Sequence, residues 1–461
     1  MNIRKFIGTK EFYRTVLALA VPIIIQNGIT NFVGLLDNIM VGRLGTEQMS
    51  GVSIANQLFF VFNLCIFGAM SGAGIFGAQY YGKGDQDGIR YILRLKIWIA
   101  FILTGIALII FQLFEEPLIL LFLHEGGESG DLTLTLQYSR DYLNWCKNLL
   151  LPFALVQAYS STLRETNNAV PPMRAGLVAV VVNLCLNWIL IFGNLGAPAL
   201  GVKGAAIATV ASRIVEIAIV AGWTHSHRKA NPYIEGLYAS MKVPKEILIS
   251  VMKKGAPILF NELMWSSGIT TLNQCYSLYG LSAVAATSIS STITNLFNIV
   301  LFALGNCVGI IVGNLLGANK FEEAKDTDRK LIAFSVCTSA VVGILLFSTA
   351  GFFPEFYNTT DEVKKLATYF LKASAVFMPF HAFTNGTYFT LRAGGKTLLT
   401  FLTDSGYLWA VSVPVAVILS RVTNLNVMQL YLCCQITESA KCLFGGSMVA
   451  RKTWVRNFVD R

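Results

Sequence analysis

Residues 22–82 read PIIIQNGITNFVGLLDNIMVGRLGTEQMSGVSIANQLFFVFNLCIFGAMSGAGIFGAQYYG, and residues 257–317 read PILFNELMWSSGITTLNQCYSLYGLSAVAATSISSTITNLFNIVLFALGNCVGIIVGNLLG. Laid on one another without a gap they keep a single offset of 235 positions, Pro22 on Pro257 and Gly82 on Gly317. Between those ends Asn38 meets Asn273, Gly45 meets Gly280, Ser53 meets Ser288, Phe62-Asn63 meets Phe297-Asn298, and Gly74 meets Gly309. About a dozen identities is roughly twice what two stretches so apolar share by chance, which marks an internal duplication. Further along, Pro152-Phe153 returns as Pro379-Phe380 and Leu163-Arg164 as Leu391-Arg392, at nearly the same offset.

The duplicated unit belongs in a bilayer. Of 461 residues, 54% are hydrophobic and 13% charged, and the mean hydropathy is +0.57, too apolar for a soluble chain of this length. A spanning helix needs roughly 20 apolar residues, and about twelve segments qualify. They lie near 16–39, 52–79, 93–114, 138–163, 172–193, 202–224, 251–278, 284–313, 330–350, 363–391, 397–420 and 427–449. The expected fold is therefore all-α and integral to the membrane, with two pseudo-symmetric six-helix lobes. Residues 1–224 form the amino-terminal lobe, 225–250 a cytoplasmic linker, and 251–461 the carboxy-terminal lobe with a short basic tail. An even number of spans per copy makes the repeats parallel, facing each other across a central cavity that rocking opens to each side in turn.

Charge sets the orientation. Arg4, Lys5, Lys10 and Arg14 precede the first segment, and Lys83, Arg90, Arg94 and Lys96 fill the second gap. Arg228, Lys229, Lys242 and Lys245 lie in the central stretch, and Arg451, Lys452, Arg456 and Arg461 in the tail. The alternate gaps hold few Lys or Arg, and the one from Glu115 to Asp131 is acidic. The positive-inside rule then predicts both termini in the cytoplasm of a multi-pass plasma-membrane protein, and it accounts for the net charge of +10 without nucleic acid. No cleavable signal peptide is expected, because the first apolar run lacks a small-residue cleavage site and is long enough to span. All nine cysteines fall in apolar segments, which argues against a disulfide framework, and no Cys/His spacing suggests a metal. The histidines stand scattered at 124, 225, 227 and 381, so a membrane-embedded enzyme with a clustered catalytic set is not expected.

Acids within apolar segments are costly, roughly 2.5–3.5 kcal/mol at a helix centre on insertion scales, so each needs a partner, a cavity or a bound cation. Three stand out: Asp37 in the first segment, Glu262 in the seventh and Asp404 in the eleventh. Asn183 and Asn187 in the fifth are four apart and share a helix face, and Thr209 in the sixth follows the small run Gly204-Ala205-Ala206. Carboxylate, amide and hydroxyl oxygens suit a hard cation such as Na⁺. Pro22, Pro152, Pro257, Pro379 and Pro414 lie inside apolar segments, where each removes a backbone hydrogen bond.

Several segments together carry a family resemblance. They are Ala20-Val21-Pro22, Leu36 to Gly45, Ala55-Asn56-Gln57, Gly77-Ala78-Gln79-Tyr80-Tyr81-Gly82, Gly204 to Thr209, Ala256-Pro257, Val312 to Ala318, and Leu391-Arg392-Ala393-Gly394-Gly395. Along its whole length the chain resembles the multidrug and toxic compound extrusion (MATE) family, within the multidrug/oligosaccharidyl-lipid/polysaccharide exporter superfamily. The resemblance implies a monomeric twelve-helix antiporter, needing no cofactor, that expels organic cations or amphipathic drugs in exchange for Na⁺ or H⁺. It also implies cation coupling in the amino-terminal lobe at Asp37, Asn183, Asn187 and Thr209. Where some members have Asp, this chain has Asn187, one carboxylate fewer. In the carboxy-terminal lobe Glu262 and Asp404 are the candidates for coupling or substrate binding, although Glu262, five residues after Pro257, stands about one turn earlier than in those members. The alternative on the same fold is a flippase for a lipid-linked oligosaccharide or other amphiphile. That activity favours cations lining the cavity to receive pyrophosphate, and the ones to inspect are Lys147, Arg213 and Lys372.

Overall fold

The computed structural model describes residues 3–121, 132–357 and 359–460. His124 and most of the acidic gap ending at Asp131 lie outside the described residues. Every regular element within them is helical. α1 (Lys10–Gly42), α2 (Thr46–Lys83) and α3 (Gln86–Leu113) lead to a short α4 (Glu115–Leu120). α5 (Leu132–Cys146) and α6 (Leu150–Glu165) are joined by a 3-10 turn at Lys147–Leu149. Then come α7 (Val170–Phe192), α8 (Val202–Ser226), α9 (Lys245–Ser277), α10 (Leu281–Gly317), α11 (Phe321–Thr349) and α12 (Asp361–Ala393). α13 (Thr397–Phe401) and α14 (Val413–Val422) are bridged by π-helical turns at Leu402–Gly406 and Leu408–Ser412. α15 (Val427–Ser439) and α16 (Lys441–Ala450) meet at Ala440.

With those three joined pairs taken as single passages, each apolar segment of the sequence falls on one helical passage. Among the described residues, eight helices are long and apolar enough to cross a membrane. Outward-facing Val341, Ile344 and Leu443 are each at least two-thirds exposed, a cost in water that lipid removes. Two helix starts carry side-chain caps. Thr360 caps α12 by accepting from the Val363 N–H at 3.4 Å, and Asn426 and Gln429 form a reciprocal capping box on α15.

The chain divides into two compact units. Unit one comprises Met1–Ile24, Ala78–Asp85 and Ser250–Arg461, and unit two comprises Ile25–Gly77 and Gln86–Ile249. Each has its own apolar core. That of unit one gathers Leu272, Ile293, Phe370, Met378, Leu408 and Tyr431, and that of unit two gathers Val41, Phe62, Ile66, Leu143, Leu150 and Ile191.

Within unit one the duplication becomes a contact. A methyl group added at Gly82 would strike the backbone of Asn314, and one added at Gly317 would strike the backbone of Gln79. Gln79 and Asn314 are themselves paired by the 235-residue offset, and between them a methyl at Gly313 would come within 3.0 Å of the β-carbon of Ala78, its own repeat mate. The ends of α2 and α10 thus cross in a self-complementary way, as two copies do about a twofold axis. Only glycine allows backbones this close.

The carboxy-terminal tail covers the same region. Gln79 Nε2 donates to the carbonyls of Ala393 (3.0 Å) and Arg456 (3.3 Å), and its Oε1 accepts from the Phe458 N–H (3.1 Å). Asn457 reaches the Gly317 carbonyl at 3.1 Å, Lys83 pairs with Asp460 at 2.7 Å, and the Trp454 side chain is buried.

Candidate functional site

In unit two, α7 turns back sharply into α8. Gly193 caps α7 in the left-handed conformation (φ 75°), and Gly204 of α8 lies so close to the Leu190 carbonyl that no β-carbon would fit. This close approach carries the Asn183/Asn187 face of α7 onto Thr209. Asn183 Nδ2 lies 3.5 Å from Thr209 Oγ1, and Asn187 Nδ2 donates to Asn183 Oδ1 at 3.1 Å and to Asp37 Oδ1 of α1 at 2.5 Å. All four amino-terminal candidates therefore stand in one chain of polar contacts. Asn187 is fully buried, Asn183 nearly so, and Asp37 and Thr209 are half-buried. Among the described residues the buried Asn187 Oδ1 atom has no hydrogen-bond partner. A buried amide oxygen in that position, beside a carboxylate and a hydroxyl, is a ready ligand for a hard cation.

One turn further along α8, Arg213 pairs with the buried Glu216 at 2.5 Å. Arg164 of α6 donates to Gln26 of α1 at 2.7 Å. Also in unit two, Lys96 of α3 is fully buried against Glu165 of α6, its ammonium 2.7 and 2.8 Å from the two carboxylate oxygens and 2.9 Å from Ser161 Oγ. Gly74 and Gly77 of α2 make the room that the Glu165 carboxylate occupies. By sequence Lys96 counted only among the inner topological charges. The pair Gly74-x-x-Gly77 facing a helix-end Glu165 was the available signal, and it becomes visible only with both helices in place.

In unit one, Glu262 and Asp404 each have a separate partner. Tyr388 Oη of α12 donates to Glu262 Oε1 at 3.0 Å. Asp404 accepts from Asn261 Nδ2 at 3.0 Å and lies 3.4 Å from the ammonium of Lys441. Asn261 also takes the Ser405 N–H on its own side-chain oxygen (3.3 Å) and the Ser405 hydroxyl on its carbonyl (2.8 Å). In a π turn the backbone pairs i with i+5 instead of i+4, and Asn261 adds two contacts to Ser405 within that turn. Lys441, buried inside an apolar segment, was missing from the intramembrane cations singled out by sequence.

Those three cations are all engaged. Lys147 contacts Glu115 (3.2 Å) and Asn144 (2.7 Å), Arg213 holds Glu216, and the Lys372 ammonium sits 5.5 Å over the Phe347 ring. Among the described residues no group of His, Cys, Asp and Glu has the arrangement of a metal centre.

Comparison with known proteins agrees with this architecture. The family model MatE matches residues 22–189 and again 257–418, once in each copy of the duplication. The probable multidrug resistance protein YoeA of Bacillus subtilis (strain 168) is 25% identical over 423 residues, 91% of this chain and 89% of its own. The probable multidrug resistance protein NorM of Thermotoga maritima is 24% identical over 423 residues, 91% of this chain and 88% of its own. Among solved structures, a MATE protein in the bent conformation superposes with a TM-score of 0.84 at 19% identity, covering 98% of this chain and 97% of that one. An outward-facing multidrug resistance MATE transporter gives 0.81 at 19% identity over the same shares. A family model matched in both halves, on an all-helical membrane fold with duplicated ends, identifies the chain as a member of the MATE family of transporters, and not an enzyme.

Proposed function

We propose that this protein is a secondary antiporter that expels organic cations or amphipathic drugs in exchange for Na⁺ or H⁺, with Asp37 as the group that takes the coupling ion. The observation that carries the proposal is the contact chain Asp37–Asn187–Asn183–Thr209, a carboxylate inside an apolar segment linked through an amide to neutral amide and hydroxyl groups. The relatives named as multidrug resistance proteins support the class of cargo. Cation or proton binding neutralises Asp37, relaxes the proline-containing α1 and weakens the hold on a cationic solute. The working unit is the pair of sequence halves, 1–224 and 251–461, with 225–250 as the linker between them. The protein works as a monomer in the plasma membrane with both termini in the cytoplasm.

The flippase alternative draws no support from Lys147 or Arg213, which are neutralised by carboxylates within the chain. Reconstitution in liposomes tests the proposal. Efflux of an ethidium-type dye is expected under an imposed Na⁺ gradient or an imposed pH gradient, each applied alone. Asp37→Asn should abolish that efflux while the purified protein stays monodisperse. Undiminished efflux in the variant, or efflux under neither gradient in the parent, refutes it.

A further inference from the structure

Asp37 is met by an amide, whereas Asp404 is met by an ammonium. Lys441 opens α16 with its side chain only 4% exposed. Its Nζ lies 2.8 Å from Glu438 Oε2, three residues back at the end of α15, and 3.4 Å from Asp404 Oδ1 on the π-helical turn. The Tyr407 ring centroid is 5.9 Å away. One ammonium thus serves two carboxylates, and among the described residues the second, buried oxygen of Glu438 has no hydrogen-bond partner. Asn261 fixes the far oxygen of Asp404, so this carboxylate cannot swing away from the lysine without losing a second contact.

We propose that Lys441 is an internal counter-cation: it occupies the Asp404–Glu438 pair and so closes the carboxy-terminal half to a free cation, and removal of its charge opens a second cation site there. Two carboxylates left in an apolar helix bundle without a cation are costly, and burial of an unpaired charge is what a binding ion relieves. The oxygens that would remain, Asp404 Oδ1 and both oxygens of Glu438, are hard ligands suited to Na⁺. On this view the asymmetry of the duplicated fold is one of occupancy. The amino-terminal half exchanges its cation, while the carboxy-terminal half carries a tethered one.

The inference deepens the reading of Asp37 as the coupling group, and the two are tested by different variants. Binding of ²²Na⁺ to purified protein is measured for the parent, Asp37→Asn, Lys441→Met and the double variant. Lys441→Met is expected to bind about one more Na⁺ per chain than the protein it is compared with, whether or not Asp37 is present. Lys441→Arg should gain none, because the charge is kept, and adding Asp404→Asn to Lys441→Met should abolish the gain. A destabilised Lys441→Met is itself informative: its thermal midpoint should rise in NaCl relative to choline chloride, and that of the parent should not rise by this route. A monodisperse Lys441→Met that gains no Na⁺, or an unfolded one that Na⁺ does not rescue, overturns the proposal. Loss of ion binding in Asp37→Asn bears only on the Asp37 reading, since the Lys441 gain is scored against a matched background.

Discussion

At the scale of single residues, Asn187 is the middle link of the candidate amino-terminal site. Its amide donates both to Asp37 and to Asn183 from a fully buried position, so its loss leaves an acceptor on each side without a donor. Asn187→Ala is expected to cost about 1–3 kcal/mol, the penalty for buried polar groups left unpaired. Its thermal midpoint should fall and gradient-driven dye efflux should fall with it, both measurable on reconstituted protein. The spacing of Asn183 and Asn187 made that face readable in advance, since residues four apart on a helix must lie together. Lys96 and Lys441 were not readable in that way. A lysine in an apolar segment looks the same in sequence whether it reaches water or a carboxylate, and only the positions of Glu165 and Asp404 decide between the two.

At the scale of elements, the crossing of α2 and α10 rests on glycines that the repeat alignment had already paired. Gly82→Ala should be destabilising by about 1–3 kcal/mol, because the methyl meets the rigid backbone of Asn314. Gly105, inside α3 with nothing near it, makes the control: there alanine should be neutral or stabilising by about 0.5–1 kcal/mol, from helix propensity alone. Thermal unfolding in detergent separates the two. The prolines divide by position as well. Pro22, Pro257 and Pro379 sit inside α1, α9 and α12, whereas Pro152 stands in the first turn of α6, where no N–H is needed. Pro414 stands at the start of α14 directly after the π turns, so the disruption expected at a proline is found in the preceding residues. Its apolar pattern reads as one continuous segment, because a π turn alters hydrogen bonding without altering hydropathy.

At the scale of the whole molecule, the basic tail is a packing element as well as a run of charge. It ties the end of α2 to the loops after α10 and α12 through Gln79, Asn457 and Arg456. Bonds from Lys83 and Asn319 hold the Asp460 carboxyl below its usual range. A depressed carboxylate contributes above its unfolded value, about 3.9, and that contribution is lost only as pH falls through the folded value. Tail docking is therefore expected to be constant from pH 8 to about 5 and to loosen in stronger acid, which limited proteolysis of the tail against pH will check. Earlier release, near neutrality, would show that another group controls it.

From the sequence alone followed the membrane solvent, the all-helical class, the duplication and the shared helix face of Asn183 and Asn187, whereas their grouping with Asp37 and Thr209 came from the family resemblance. Each of the former depends on composition, on helical period or on a constant offset, which are properties of the chain in one dimension. Only the tertiary structure decided which charges are spent inside the protein. Lys96 on Glu165 and Lys441 on Asp404 are pairs from different helices, 69 and 37 residues apart in the chain. Whether a buried charge is free to bind an ion depends on what lies within a few ångströms of it, and that distance is set by packing.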